Sequence, residues 1–205
     1  MPGNTSDAVA PGLRLGPRAV LVPVKAFGEA KRRLTAALSA VQRSELARAM
    51  AERVLAAARG WPVAVVCDDR EVAGWARQRG ALVVWEPGRG LNGAVQAGVD
   101  RLGQAGVERV VVAHADLPSA TDLTTVDAGT GVVLVPDRVG NGTNVLCLPV
   151  RSGFCFSYGP GSFARHVAEA GRLGLTVTVV ERPDLAWDVD EPADVPVGGR
   201  LPPLA

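Results

Sequence analysis

Short apolar runs alternate with segments of mixed polarity along most of the chain. The runs are nearly uninterrupted, as in RAVLVPVK at 18–25 and ERVVVAH at 108–114. Uninterrupted apolar runs of this length are typical of strands that are buried on both faces of a sheet. The pattern predicts strands at 18–25, 62–67, 81–85, 108–114, 131–136, 144–149 and 175–181.

The segments between these runs have the spacing and the end signals of helices. Ser39 is a suitable N-cap for a helix that continues to about Arg59, and Gly60 follows as a terminator. Strands and helices that alternate in this way predict an α/β fold, a single domain with a mainly parallel sheet and helices on both faces. Shorter helices are predicted at 71–79, 92–103 and 162–173.

The two ends of the chain differ from this pattern. Residues 1–17 and residues 197–205 are rich in proline and glycine and show no apolar periodicity. We therefore expect a disordered arm at 1–17, one folded domain at 18–196 and a flexible tail at 197–205.

Composition and charge narrow the classes of protein. The chain has 205 residues, with 22 Lys and Arg against 21 Asp and Glu, so it has no broad basic field and nucleic-acid binding is not expected. No apolar run approaches the roughly 20 residues of a membrane span, and no secretory signal pattern is present. Three scattered cysteines predict reduced thiols rather than disulfides or a zinc site. These features favour a cytoplasmic protein that does not bind membranes.

The loop after the first predicted strand is basic. It contains Lys25, Lys31, Arg32 and Arg33, and the two lysines are the only ones in the chain. Parallel sheets bind ligands beyond the carboxyl ends of their strands, so this loop is well placed for chemistry. Four cations there could form a cradle for a triphosphate, or they could be a solvated loop before a helix.

Residues 88–93 read Gly-Arg-Gly-Leu-Asn-Gly, which matches the glycine pattern of dinucleotide-binding loops. The match follows the third predicted strand rather than the first, and Glu86-Pro87 lengthens the loop. We favour a loop that contacts a base or a ribose. A pyrophosphate site and a plain glycine-rich connector stay open as alternatives.

Acidic residues lie at two distant places where they could bind a divalent cation. Asp116 follows the predicted strand 108–114, and Asp188 and Asp190 lie in the segment WDVDEPAD. Alternate residues of an extended segment point to one side about 7 Å apart, so Asp188 and Asp190 could share a metal ion. The alternatives are a capping aspartate and an acidic surface turn. If the three carboxylates meet, their repulsion predicts that removing any one charge does not destabilise the ligand-free fold.

Two glycine-rich turns form a third candidate site. DRVGNGTNV at 137–145 precedes a strand, and SYGPGSF at 157–163 precedes a helix. Ser162 as an N-cap, with free backbone amides behind it, predicts a site for a phosphate or a carboxylate. An ordinary capped helix is the alternative. His114 and His166 are isolated in the sequence and are expected to serve packing.

Together these motifs resemble one known family. VPVKAFGEAKRRL, LNGAV, HADLP, DRVGNGTNVLCL, YGPGSFARH and WDVDEPAD follow one another as in CofC/FbiD-type guanylyltransferases, over about residues 18–196. The resemblance implies a glycosyltransferase-A-like, Rossmann-like fold of the MobA-like nucleotidyltransferase superfamily. It also implies transfer of GMP from GTP to the phosphate of phosphoenolpyruvate or 2-phospho-L-lactate, with release of pyrophosphate, in the biosynthesis of a deazaflavin coenzyme.

The resemblance implies charged groups for this reaction. Mg²⁺ would be the cofactor, bound by Asp116, Asp188 and Asp190. Lys25 and Lys31 would contact the triphosphate of GTP. Lys25 and the three aspartates would be the catalytic residues.

The resemblance also implies substrate contacts. The phosphate of the acceptor would contact Thr143, Gly159 and Ser162, and the nucleoside would lie near Leu91 and Asn92. The expected partners are GTP and a small phosphorylated carboxylic acid, and a homodimer is a further expectation.

Other functions stay open from the residues alone. They are another Mg²⁺-dependent nucleotidyltransferase acting on a sugar phosphate or a molybdenum cofactor, an NAD-type oxidoreductase, and a nucleotide-binding module without activity. The chain has no isoleucine, and two of its 22 basic residues are lysine, which indicates a GC-rich genome. Bacterial members of the family that the chain resembles are associated with phosphoenolpyruvate, so we expect this acceptor rather than 2-phospho-L-lactate.

Overall fold

Seven strands form one sheet in the computed structural model, which describes residues 14–195 and residue 201. The strands are β1 Arg18–Pro23, β2 Val63–Cys67, β3 Leu82–Trp85, β4 Arg109–Ala113, β5 Val132–Pro136, β6 Thr143–Pro149 and β7 Val177–Val179. Their order in the sheet is β3-β2-β1-β4-β6-β5-β7. All seven predicted strands are present, with ends that shift by a few residues.

Most neighbouring strands are parallel, and β6 is the exception. β1 pairs in parallel with β2 and β4, β2 with β3, and β5 with β7. β6 is antiparallel to β4 and β5, because residues 137–142 join β5 to β6 as a hairpin, and so short a connection requires an antiparallel pair. The prediction of a mainly parallel sheet is confirmed, and the start of β6 lies at the same edge as the end of β4.

Helices cover both faces of the sheet, as predicted. They are α1 Ala40–Ala56, α2 Arg70–Gln78, α3 Gly90–Gln104, α4 Ser162–Arg172 and the short α5 Pro183–Ala186. Alternate residues of β1 enter two apolar clusters, since Val20 and Val22 pack with α1 and α2 whereas Leu21 packs with α3 and α4. This alternation follows from the two-residue period of a strand.

Local signals in the sequence position α1 and α3. Ser39 is the N-cap of α1 as predicted: its Oγ accepts a hydrogen bond of 3.3 Å from the Gln42 amide, and the Gln42 side chain accepts one of 2.9 Å from the Ser39 amide. Gly98 lets α3 approach β1 closely, since a Cβ there would lie 2.7 Å from Leu21 Cδ2. Because α3 follows the end of β3 after a short loop, its first turn lies at the carboxyl edge of the sheet.

The end of the sheet and the beginning of the chain differ from expectation. The predicted strand 175–181 shortens to β7, an edge strand whose residues are all exposed. The Leu15 amide donates to Ala105 O at 2.9 Å, and Pro17 O accepts from the Glu108 amide at 2.9 Å. The last residues of the expected arm are thus attached to the domain. Residues 1–13 of the arm and all of the expected tail except Leu201 lie outside the described residues.

Nothing in the described part of the chain forms a helix with the length and apolar character needed to cross a membrane.

Candidate active site

A cleft of about 770 Å³ opens at the carboxyl edge of the central strands. It lies between the loops after β1, β3 and β4, the hairpin turn at 137–142 and the segments around α4 and α5. This is the edge where parallel α/β sheets bind ligands. Nine of the ten residues predicted for the site line the cleft, and Asn92 does not: the nine are Lys25, Lys31, Leu91, Asp116, Thr143, Gly159, Ser162, Asp188 and Asp190.

Three carboxylates and one lysine meet in one part of the cleft. Lys31 Nζ lies 2.5 Å from Asp116 Oδ2 and 3.1 Å from Asp190 Oδ1. Asp188 lies beside them, and its Oδ1 accepts a hydrogen bond of 3.3 Å from Asn144 Nδ2. We call Lys31, Asp116, Asp188 and Asp190 the acidic cluster. The structure thus brings together carboxylates that are far apart in the sequence.

Backbone contacts explain why these distant segments meet. The Val189 amide donates to Asp116 O at 3.3 Å, so the later segment is attached directly to the end of the β4 loop. Val189 is fully buried, which turns its two acidic neighbours toward the cleft. Asn144, at the start of β6, donates from Nδ2 to Leu185 O at 3.1 Å and to Ala186 O at 3.0 Å. A single buried amide therefore holds the end of α5 against the sheet.

The carboxyl groups of Asp116 and Asp188 have pKa values that shift in opposite directions. Burial raises the pKa of Asp116, but the charge and the hydrogen bond of Lys31 outweigh it, so the pKa lies below its ordinary value. Burial lowers the pKa of Lys31, and the two facing carboxylates outweigh it, so that pKa lies above its ordinary value. The pKa of Asp188 is raised by burial and by the negative charge of Asp116. Lys31 therefore compensates Asp116 and Asp190 more directly than Asp188.

The oxygen atoms of the acidic cluster suit a hard divalent cation. Asp116 Oδ1 is buried and has no hydrogen-bond partner among the described residues. A buried polar atom without a partner is costly unless a ligand satisfies it, and carboxylate oxygens are preferred ligands of Mg²⁺. Within residues 14–195, no three acidic, His or Cys side chains are already arranged as a metal centre. Lys31 lies between Asp116 and Asp190, so its ammonium group would have to move for an ion to bind between them.

Two buried hydroxyl groups line another part of the cleft. Thr143 is 1% exposed and Ser162 is 2% exposed, and both residues line the cleft. We call Thr143 and Ser162 the hydroxyl pair. They come together because β6 is antiparallel, so that its first residue lies at the same edge of the sheet as the start of α4.

The prediction that Ser162 is an N-cap is wrong. Gly161, with a φ of +75°, is the N-cap of α4, no side-chain cap is present, and Ser162 is the first residue of the helix. The amides of Ser162 and Phe163 are not free, since they donate to Gly159 O at 3.0 Å and to Asn141 O at 3.2 Å. Glycine is favoured at the N-cap because the backbone there adopts the left-handed conformation, which glycine reaches without steric cost. The hydroxyl groups, rather than these two amides, are what this part of the cleft offers to a ligand.

Asp137, which is not among the predicted site residues, organises the hairpin turn. Its Oδ1 accepts hydrogen bonds from the amides of Val139 and Asn141 at 3.2 and 2.8 Å, and its Oδ2 accepts one from the Gly142 amide at 2.8 Å. Gly142 is needed because a Cβ there would lie 2.7 Å from Asp137 Oδ2. The available signal was an aspartate directly after a strand and before glycines, which is typical of a side-chain-stabilised turn.

His166 is fully buried on α4 and contacts Thr143 of the hydroxyl pair. Its Nδ1 lies 3.0 Å from Thr143 Oγ1, and its Nε2 accepts a hydrogen bond of 3.0 Å from the Ser157 amide. The ring also packs against Phe154 and Tyr158 at centroid distances of 5.7 and 4.9 Å. The expected packing role is present, and two polar contacts accompany it.

The glycine pattern at 88–93 lies after β3, the edge strand of the sheet, rather than after the central strand β1. Helix α3 begins inside it at Gly90. Leu91 lines the cleft, but the Asn92 side chain binds the backbone of Tyr158, with Oδ1 accepting from its amide at 2.6 Å and Nδ2 donating to its carbonyl at 3.4 Å. These bonds position the segment before α4, and the expected contact of Asn92 with a nucleoside stays a prediction.

Solved structures define the class of fold. A nucleotidyl transferase from Methanothermobacter thermautotrophicus superposes on 87% of this chain and 94% of its own, with a TM-score of 0.62 and 16% sequence identity. The fold is thus the Rossmann-like fold of nucleotidyltransferases.

Sequence relatives narrow the class to a family. The model of the family described as "Guanylyl transferase CofC like" matches residues 18–197, and the chain belongs to this family. A phosphoenolpyruvate guanylyltransferase of Rubrobacter xylanophilus is 39% identical over 184 residues, which cover 85% of this chain and 90% of the relative. Another, of Roseiflexus castenholzii, is 40% identical over 179 residues, covering 85% and 84%.

Proposed function

We propose that the protein transfers GMP from GTP to the phosphate of phosphoenolpyruvate and releases pyrophosphate. The observation that supports this most is that one cleft contains the acidic cluster and, separately, the buried hydroxyl pair. Two substrates that both bear phosphate need two such sets of polar groups. The relatives reported above bear the name of this activity.

The chemistry requires little covalent help from the protein. A phosphate monoester is mostly doubly ionised near neutral pH, since its second pKa is about 6, so the acceptor needs no general base. An acceptor oxygen forms a bond to the α-phosphorus of GTP while the bond from that phosphorus to the bridging oxygen of pyrophosphate breaks. Positioning and compensation of negative charge are therefore the main tasks of the cleft.

Cationic and apolar groups provide the GTP side of the proposed site. Lys25 is exposed at the end of β1, and Lys31 follows in the same loop, so both can approach a triphosphate. Leu91, in the first turn of α3, lines the cleft, and its apolar side chain is the proposed contact for the nucleoside. When GTP binds, Lys31 can exchange a carboxylate partner for a phosphate oxygen.

We propose Mg²⁺ as the cofactor, held by Asp116, Asp188 and Asp190. The buried, unpartnered Oδ1 of Asp116 is the feature that fits this ion best. Bound there, Mg²⁺ would supply positive charge beside the reacting phosphate groups. The protein residues then have the task of holding three carboxylates together, which the Val189 backbone amide and the Asn144 side chain perform through the hydrogen bonds described above.

The acceptor side comprises the hydroxyl pair and Gly159. Hydroxyl groups can donate to phosphate oxygens, and Gly159, with a φ of +119°, gives the chain a conformation that other residues rarely adopt. Phosphoenolpyruvate is the proposed acceptor rather than 2-phospho-L-lactate. A nucleotidyltransferase of the same fold that acts on a sugar phosphate is the second candidate, since the described contacts do not involve the rest of the acceptor.

The test is pyrophosphate release with Mg²⁺ and each combination of one nucleotide and one acceptor. We expect GTP to exceed ATP, CTP and UTP, and phosphoenolpyruvate to exceed 2-phospho-L-lactate and hexose phosphates, with a product of the mass of guanylated phosphoenolpyruvate. Replacing Mg²⁺ by a chelator should abolish release. A clear preference for a sugar phosphate would reject the proposed acceptor class and retain the fold class.

A further inference from the structure

The contacts of His166 define which of its ring nitrogens bears the proton. The Ser157 backbone N–H donates to Nε2 at 3.0 Å, so Nε2 must have a free lone pair. In a neutral imidazole the hydrogen is then on Nδ1. Nδ1 lies 3.0 Å from Thr143 Oγ1, so His166 donates this hydrogen bond and Thr143 accepts it.

The direction of this bond determines what the Thr143 hydroxyl can do. A hydroxyl has one hydrogen to donate and two lone pairs. Because one lone pair is used by His166, the hydroxyl hydrogen must point to another acceptor. Within the part of the chain that the structure describes, His166 is the hydrogen-bond partner found for the Thr143 side chain. Thr143 lines the cleft, so an anionic ligand there is the acceptor available to its hydrogen.

The surroundings keep the imidazole neutral, which this direction requires. The pKa of His166 is lowered to about 4, first by burial and then by the charges of Arg165 and His114, while Glu169 opposes them. The aromatic rings of Phe154 and Tyr158 pack against the imidazole. If the ring were protonated, Nε2 would carry a hydrogen that points at the Ser157 N–H, and it could not accept the hydrogen bond from that amide.

We propose that His166 is a positioning residue for the acceptor: through its Nδ1–H bond it orients the Thr143 hydroxyl so that its hydrogen points at the acceptor phosphate. His166 itself need not touch the substrate, since it acts through Thr143. The proposal rests on the proposed function, in which Thr143 contacts that phosphate.

A matched pair of variants separates this role from simple support of the 157–162 segment. The amide of an asparagine side chain reaches the place of Nδ1, so His166→Asn can keep a donor to Thr143 and loses the acceptor for the Ser157 amide. The longer glutamine reaches the place of Nε2, so His166→Gln can keep that acceptor and loses the donor. We expect His166→Gln to raise the KM for phosphoenolpyruvate about tenfold, the size of one hydrogen bond, and to leave the KM for GTP within about twofold.

The control is the same pair of variants combined with Thr143→Val. We expect His166→Gln to have no further effect on the KM once the Thr143 hydroxyl is gone, because the two residues act as a unit. Independent effects in the double variant would overturn the proposal. So would a larger rise in KM for His166→Asn than for His166→Gln, which would assign His166 to support of the backbone.

A measurement on the unmodified protein does not depend on how the variants fold. The chain has two histidines, so the imidazole nitrogens can be assigned by nitrogen NMR. We expect His166 to have its hydrogen on Nδ1, and a hydrogen on Nε2 would reject the proposal. If the unmodified protein does not transfer GMP to phosphoenolpyruvate, the proposed function fails; calorimetric binding of phosphoenolpyruvate to the same variants still tests His166.

Discussion

The acidic cluster and the hydroxyl pair share one cleft, but charge holds the first together and hydrogen-bond geometry holds the second. In the acidic cluster, Lys31 compensates carboxylates that would otherwise repel one another. At the hydroxyl pair, a neutral histidine contacts the Thr143 hydroxyl, and the Ser157 backbone amide donates to that histidine.

This difference indicates how each part responds to a ligand. Ion pairs can be exchanged, so Lys31 can leave a carboxylate when phosphate and a cation arrive. The hydroxyl pair is 1% and 2% exposed and is fixed by packing, so it is organised before a ligand binds. Substitutions in the two parts should therefore change different measured quantities.

The largest effect is expected in the acidic cluster. Asp116→Asn should lower the rate of GMP transfer at least about 100-fold. The proposed Mg²⁺ would lose one of its ligands, and several kcal/mol of compensation for the negative charge of the reacting phosphates would be lost with it. The substitution should also lower the free energy of unfolding by about 1–3 kcal/mol, since Lys31 loses its nearest buried partner. Pyrophosphate release and urea denaturation measure the two quantities.

Asp188→Asn is the matched control for this stability effect. The pKa of the Asp188 carboxyl group is raised by burial and by the charge of Asp116, so loss of the Asp188 charge relieves repulsion. An asparagine at this position can still accept the hydrogen bond from Asn144. We expect a similar loss of activity with no loss of stability. The contacts thus change the expectation for Asp116, which repulsion alone had placed with the others. Equal stability losses in both variants would contradict the compensating role of Lys31.

The central fold could be predicted because its physical causes are local. Buried strands need uninterrupted apolar runs, and the capping box of Ser39 and Gln42 is visible as a short motif. The antiparallel direction of β6 was not predicted, since the short connection requires it only if β5 and β6 are neighbours in the sheet, which the apolar runs alone do not show. Val177 and Val179 look like strand-core residues in the sequence, but they lie at the open edge of the sheet.

The site was predictable as a set of residues and not as a set of contacts. Nine of ten candidate residues line the cleft, because loops after parallel strands converge at one edge. The position of Lys31 between two aspartates requires coordinates, as does the use of Asn92 by the Tyr158 backbone. His166 was assigned to packing because one histidine in a sequence gives no information about its two ring nitrogens.

A smaller effect, confined to acceptor binding, is expected for the hydroxyl pair. Thr143→Val and Ser162→Ala should each raise the KM for phosphoenolpyruvate about 10- to 150-fold. This range corresponds to the loss of one hydrogen bond to a charged group, which costs about 1.5–3 kcal/mol. The KM for GTP should stay nearly constant. Thr143→Ser keeps the hydroxyl and should keep most of the affinity. Equal increases in both KM values would show that these residues support the whole cleft.

The smallest effect is the pH dependence of stability that His166 contributes. Its pKa is about 4 in the folded protein and about 6.5 in an unfolded chain, so below pH 6.5 the unfolded state binds a proton that the folded state does not. The free energy of unfolding therefore falls as the pH falls from about 6.5 to about 4, and this contribution is complete above that window. Between pH 7.5 and pH 5.5 the loss should be about 1.3 kcal/mol. Urea denaturation of the unmodified protein and of His166→Gln isolates it, because the other titrating groups are common to both. Parallel curves for the two proteins would mean that the imidazole is not held neutral, and the fixed geometry of the hydroxyl pair would lose its physical basis.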